Sequence, residues 1–389
     1  MMNLILVDDP KIHKQLRPLT LTRPVAALRC GTFTIAEKWQ HDFQESHVSF
    51  QTESYLSVKY AAVTTTDNTF MASHLLPNAA LVEAILGLAQ NEVLEDINGD
   101  FLAKRSENFD AIPTTKKIFK TELKTIQFPW DLFLNNGEQI SADFHRITKN
   151  RTSQILTDPY NRIYEAANIF VEAGASVKAA TLNAEAGPIY IGKNAVIQEG
   201  SILIGPVSIG ENSMVAWGGK IRPNTTLGPN CRVGGEVGNS IFMANSNKAH
   251  DGFLGNSIVG EWCNLGANTN NSNLKNDYSE VKLYSYATEQ LDGTGLQFCG
   301  TMIGDYTKAG ISTMFNTGTV VGVSANVFGA DFQPKYIPSF SWGGASSGFE
   351  EYRFEKALAV INATMARRNQ ALTGAEISIL GTIFAQTKH

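Results

Sequence analysis

The chain has 389 residues, of which 43% are hydrophobic and 18% charged, with a formal net charge of −5 at pH 7. That length exceeds one ordinary core and predicts two or three domains, while the charge leaves no basic field for nucleic acid or an anionic membrane, and no run approaches the roughly 18 apolar residues of a membrane span. Cys30, Cys231, Cys263 and Cys299 form no Cys-x-x-Cys pair and have no His at zinc spacing, so buried apolar roles in a reduced compartment are expected rather than disulfides or structural zinc.

The start, Met-Met-Asn-Leu-Ile-Leu-Val-Asp-Asp, has no basic segment ahead of its apolar run and does not read as a signal peptide, so a cytoplasmic location is expected. Asn3 to Val7 predicts a buried strand that delivers Asp8 and Asp9 into a turn at Pro10, and Asp8 is the candidate for a metal. Arg17, Arg23 and Arg29 follow, then Gly31 and Glu37-Lys38-Trp39. Two readings of these cations stay open. They form a solvated face, or they cradle a phosphate, since Arg offers bidentate donors to phosphate oxygens and Gly lets a backbone come close. Leu81 to Leu88 predicts a helix, Asn98-Gly99 a turn between two short strands, and Trp130 to Phe133 a short helix. Mixed strands and helices predict an α/β layer domain over residues 1–165.

Beyond it the period changes. Ile191, Ile197, Leu203, Ile209, Val215, Ile221, Leu227 and Val233 fall six apart, which is neither a helical nor a strand period and marks hexapeptide repeats of a parallel β-helix. These residues are expected to point inward, as are the small or β-branched Ala195, Ser201, Val207, Ser213, Gly219, Thr225, Cys231 and Val237. The phase slips before Ile241 and resumes at Phe253, Val259 and Leu265. Asn271 to Gln297 reads as an extruded loop, after which the period returns from Ile303 to Val327. An antiparallel sandwich would need turn signals every 8–12 residues, and eight unbroken matches exclude it. The β-helix is assigned to residues 166–345 and a helical tail to 346–389, with Tyr352, Leu358, Ile361 and Met365 at helical spacing. Arg367 and Arg368 close that run, in reach of a coenzyme phosphate or serving the helix dipole.

The run Ser246-Asn247-Lys248-Ala249-His250-Asp251-Gly252-Phe253-Leu254-Gly255, with Leu265-Gly266-Ala267-Asn268-Thr269 and Ser272-Asn273-Leu274-Lys275-Asn276, resembles the acetyltransferase half of GlmU, the bifunctional enzyme that makes UDP-N-acetylglucosamine. With Leu19-Thr20-Leu21-Thr22-Arg23-Pro24 and Thr34-Ile35-Ala36-Glu37-Lys38-Trp39, the whole chain resembles the Bacteroidetes-type form of that GlmU-like family. The resemblance implies a Rossmann-like sugar-1-phosphate nucleotidyltransferase domain joined to a left-handed β-helix acyltransferase domain that forms a homotrimer. It implies Mg²⁺ as cofactor, acetyl-CoA as co-substrate, and a sugar 1-phosphate and a nucleoside triphosphate as substrates. His250 matches the catalytic histidine; an ammonium cannot attack a thioester, so a base near neutral pKa must take its proton. A solvated corner histidine is the alternative reading. Asn273 matches a sugar-binding asparagine, and Lys248 and Arg222 match phosphate-binding positions. The resemblance places Lys38 and Arg29 among the catalytic residues, Arg23, Gly31, Asp251 and Lys275 among the substrate-binding ones, and Ala267 at the coenzyme. The Gly-rich loop usual after the first nucleotidyltransferase strand is absent, and Asp8-Asp9-Pro10 stands there. Two other readings remain: a nucleotidyltransferase whose β-helix only assembles subunits, and a non-catalytic sugar-nucleotide binding protein.

Overall fold

The computed structural model describes residues 2–44 and 46–387. Strand β1 (Asn3–Val7) is buried along its length and pairs in parallel with β2 (His47–Gln51) on one side and β3 (Asn68–Ala72) on the other. Its side chains alternate between two layers: Leu4 and Leu6 join the large core, while Ile5 and Val7 pack with Phe70 on the opposite face. Phe101–Ser106, Glu92–Glu95 and Thr115–Ile118 extend the sheet to six strands, the first two antiparallel about the Asn98-Gly99 turn, where Gly99 takes φ +87. Around the sheet lie α1 (Pro10–Gln15), α2 (Ile35–Asp42) and α3 (Ala79–Leu86). Asp9 caps α1 with Pro10 in its first turn, and Thr34 and Glu37 cap α2 reciprocally.

The short helix expected at Trp130–Phe133 is instead the 20-residue α4 (Pro129–Thr148). Asn135-Asn136-Gly137 obscured it, because Asn and Gly are poor helix formers. Both residues serve contact with the β-helix. Asn136 donates to the Asn224 carbonyl at 2.8 Å and accepts from the Gly31 amide at 2.7 Å, and a Cβ on Gly137 would collide with Asn224.

Residues 162–344 form a left-handed parallel β-helix. Ile191 pairs with Ile209 and Ile209 with Leu227, eighteen residues per coil, as three hexapeptides require. Its three faces carry sheets of nine, ten and six strands, the tenth being an antiparallel return, and the third face continues as the pair Asn270–Asn271 with Met314–Phe315. All eight stack residues from Ile191 to Val233 are fully buried. Asparagines at the corners, among them Asn194, Asn212, Asn230 and Asn245, take the left-handed conformation that this residue tolerates. The phase after Val233 differs from the sequence reading. Leu227 pairs with Phe242 and Val237 with Leu254, so Phe242 and Leu254 continue the stack, not Ile241 and Phe253. Ile241 points outward and is buried because the N-terminal unit covers the first face there, together with Ile258, Met302 and Val320. Residues 271–297 leave the coil and carry an antiparallel hairpin, Lys282–Ser285 with Gln290–Gly293.

The β-helix starts earlier than residue 166, since Arg162–Tyr164 already pairs with Thr181–Asn183. The tail holds two helices rather than one, α5 (Phe354–Ala366) and α6 (Gly374–Gln386), packed on Trp262, Tyr306 and Phe340. The four cysteines are buried and unpaired, and among the described residues no helix is long and apolar enough to cross a membrane.

Candidate active sites in the sheet cleft and along the coil edge

A cleft of about 1000 Å³ opens where β1, β2 and β3 end, lined by Val7, Gln51 and Ala72 from those ends. The carboxyl ends of parallel strands are where open α/β sheets receive ligands. Asp8 sits here, its carboxyl accepting from the Thr52 hydroxyl at 2.5 Å and the Val25 amide at 3.1 Å, and burial lifts its pKa to about 6. His74, at the end of β3, keeps a buried and unpaired Nδ1, and burial lowers it to about 4, so it faces the cleft neutral at pH 7. Lys11 and Lys120 are the cleft's exposed cations. Asp96 and Asp100 stand opposite, with Phe101, Phe109 and Phe119 as apolar walls.

Of the expected N-terminal site residues, only Asp8 lines this cleft. Arg23 is buried between two carboxylates of the β-helix, Glu261 and Asp305. Arg29 donates through Nε to the Met243 carbonyl at 3.1 Å and through Nη1 to the Thr32 carbonyl. Lys38 is wholly enclosed with Asp143, and Gly31 takes φ +82 against that carboxylate and the Gln139 backbone. These four residues hold the loop Arg29–Thr34, α4 and the first face together and form no phosphate cradle. Lys11, His74 and Lys120 carry the cleft's polar chemistry without a sequence signal of their own; their placement at strand ends appears only with the fold.

The second site lies along the edge between the second and third faces. Trp217, Gly235, His250-Asp251, Ala267 and Ile311 follow one another coil by coil: the Asn268 amide donates to the Asp251 carbonyl at 2.9 Å, and the Ser312 amide to the Ala267 carbonyl at 2.7 Å. His250 and Asp251 are exposed. Trp217 and Ile311 project from the same edge with 76% and 75% of their surface open, an apolar strip on either side of the histidine. Asn273 approaches from the next coil, its amide donating to Asn256 Oδ1 at 2.8 Å. Arg222 is exposed on the third face, 3.1 Å from Glu236. Lys275 holds its own loop, donating to Ser279 Oγ at 3.1 Å and to the Glu280 carbonyl at 2.5 Å.

Lys248 departs from expectation. It pairs with Val233, a stack position, and is 1% exposed inside the coil, where Nζ donates to the His250 carbonyl at 3.0 Å. Burial lowers its pKa to about 8. It braces the His250 turn from within and is turned away from any sugar phosphate.

The fold is an open α/β unit, with a cleft at its parallel strand ends, docked along the flank of a hexapeptide β-helix. Residues 4–152 match the family described as sugar nucleotidyl transferase. The bifunctional protein GlmU of Methanococcus maripaludis is 40% identical over 147 residues, 37% of this chain and 35% of the relative. The bifunctional sugar-1-phosphate nucleotidylyltransferase/acetyltransferase of Sulfurisphaera tokodaii is 34% identical over 144 residues, 36% and 35% of the two chains. The chain spans about a quarter to a third of the length of the curated relatives it matches. A solved Arabidopsis UDP-N-acetylglucosamine acyltransferase aligns over 54% of this chain and 78% of its own, with 12% identity and a TM-score of 0.27. The N-terminal unit is thus similar to sugar nucleotidyl transferases, and a β-helix follows it in the same chain.

Proposed function

We propose that the chain is a two-site transferase. In the sheet cleft a sugar 1-phosphate attacks the α-phosphorus of a nucleoside triphosphate and releases pyrophosphate; on the coil edge an acyl group passes from acetyl-CoA to an amino-sugar phosphate. The product that suits both steps is UDP-N-acetylglucosamine. The observation that carries this reading is His250, an exposed imidazole on the coil edge between Trp217 and Ile311, with Asn273 on the adjoining face.

At that edge the imidazole would take one proton from the sugar ammonium, and the amine so freed would attack the thioester carbonyl. The C–N bond forms, the C–S bond breaks, and the second proton lost from nitrogen passes to sulfur, so the coenzyme leaves as its thiol. Asn273 would orient the sugar by hydrogen bonds, and the strip of Ala267 and Ile311 would lie along the apolar arm of the coenzyme. Lys248 acts through the backbone, by fixing the turn that carries His250. A homotrimer would cover the exposed Trp217 and Ile311 with neighbouring coils.

In the cleft, Lys11 and Lys120 would meet the triphosphate, and His74 is placed to donate or accept as a neutral group. Among the described residues no three metal-ligating side chains gather, so the donor set suits Mg²⁺ brought with nucleotide phosphates and held by Asp8, not a protein cage. When bound, Mg²⁺ offsets charge on the phosphates.

Purified protein given glucosamine 1-phosphate and acetyl-CoA should release thiol, and His250→Ala should release none while melting at the same temperature. Thiol release at the wild-type rate in His250→Ala would refute the assignment.

A further inference from the structure

A second cavity, about 440 Å³, lies between the second face of the β-helix and α5, away from both sites above. Arg232, Lys308, Arg367 and Arg368 line it, with Asn247 and Asn264, and no carboxylate does. None of the four cations belongs to any ion pair among the described residues. Arg368 donates to the Asn230 carbonyl and to Asn245 Oδ1 and Asn247 Oδ1 at 3.1 Å each, and stands over the Trp262 ring at 5.6 Å. The side chains of Arg232, Lys308 and Arg367 find no hydrogen-bond partner there. Burial lowers the Lys308 pKa, and burial first, then the neighbouring Arg232 and Arg367, lowers that of Arg368. Four like charges held together without a counter-charge repel one another, in a protein whose net charge is negative. Such an arrangement is stable and useful when an anion completes it.

We propose that this groove binds a ligand carrying two or more phosphates, with Arg232, Lys308 and Arg367 as the free donors and Arg368 as the preset wall. Guanidinium and ammonium donors converging on one cavity are suited to phosphate oxygens. The volume falls within the range of small-molecule sites, and Val360, Ala363 and Thr364 of α5 close the far side within the same chain, which favours a small ligand over a subunit contact. Free pyrophosphate and the nucleotide end of a coenzyme share this chemistry. His250 lies at the opposite edge of the same face, beyond Asn247, so the groove is separate from the acyl-transfer residues.

The test is calorimetric titration of the full chain with pyrophosphate and, separately, with adenosine 3′,5′-bisphosphate. Both are run in a Lys11→Ala/Lys120→Ala background that removes the cations of the sheet cleft. At least one ligand should bind saturably. In the further double variant Lys308→Gln/Arg367→Gln, binding should weaken about ten- to a hundredfold, as loss of charge-assisted hydrogen bonds implies, and it should be unchanged in His250→Ala. Preference for the adenosine compound would assign the groove to a coenzyme, and preference for pyrophosphate to a free polyphosphate. The unliganded double variant should melt higher than its parent because repulsion is relieved, which separates lost binding from lost folding. Absence of binding by either compound, or equal binding by parent and double variant, overturns the proposal. So does a double variant that loses subunit association while the parent binds neither compound. Failure of acyl transfer would leave this result untouched.

Discussion

Replacing Lys38 by Met separates a structural lysine from a catalytic one. The Lys38 side chain and the carboxyl of Asp143 are both 0% exposed. Asp143 also accepts from the Thr32 amide at 2.9 Å and the Phe33 amide at 3.3 Å, and faces Arg146 at 3.1 Å. Removing one member of a buried pair costs about 3–5 kcal/mol, because the other charge stays buried. Arg146 and the two amides remain to hold Asp143, so the low end, about 3 kcal/mol, applies to Lys38→Met. For a unit of this size that lowers the melting temperature by roughly 6–12 °C. Calorimetry on the variant should show that loss, Lys38→Met/Asp143→Asn should recover part of it, and pyrophosphate release per folded molecule at 20 °C should persist. An unchanged melting temperature with turnover abolished would mean that Lys38 reaches a substrate and that its enclosure is misread.

Gly31→Ala should destabilise the same junction by about 2–4 kcal/mol, combining a left-handed backbone with overpacking against Asp143 and the Gln139 backbone, and chemical denaturation would measure it. Asp8, raised to about 6, is destabilising when ionised: its contribution is nil below about 4, grows as pH rises through its folded pKa, and is complete above it. Asp8→Asn should therefore leave stability near pH 4 unchanged and raise it at pH 7 by up to about 3 kcal/mol, while abolishing nucleotidyl transfer. His13 and His74, both lowered to about 4 by burial, act in the opposite sense, losing stability as pH falls from 6.5 toward 4. Two such groups outweigh Asp8, so wild-type stability should rise between pH 4 and 6.5, more steeply in Asp8→Asn, as read from melting temperatures across that range. The 4.0 Å approach of His13 to Asp8 is accordingly a contact of neutral groups near pH 5.

The β-helix was legible because its interior admits only one pattern: a narrow prism repeats its inward residues every six, and the fully buried run from Ile191 to Val233 obeys it. Ile241 misled because a residue on the outer surface of a coil is apolar when another unit covers it, and period alone cannot tell inward burial from burial beneath a neighbour. The same contact explains the arginines. Arg23 and Arg29 carry the spacing of a phosphate cradle, yet their partners, Asp305, Glu261 and Met243, lie more than 200 residues away in sequence. His250 and Asp251 were marked by the family resemblance of the run around them, and the structure exposes them on the coil edge. Lys248 could not be placed from sequence, since a lysine in a stack position is buried only where backbone carbonyls such as that of His250 receive it.

The chemistries proposed for the sheet cleft and the coil edge are independent of each other. The direct measurement crosses His250→Ala and Asp8→Asn with both assays, thiol release from acetyl-CoA with glucosamine 1-phosphate, and pyrophosphate release from UTP with N-acetylglucosamine 1-phosphate. His250→Ala should lose only thiol release and Asp8→Asn only pyrophosphate release. Loss of both activities in either folded variant, or of neither in both, would contradict that independence.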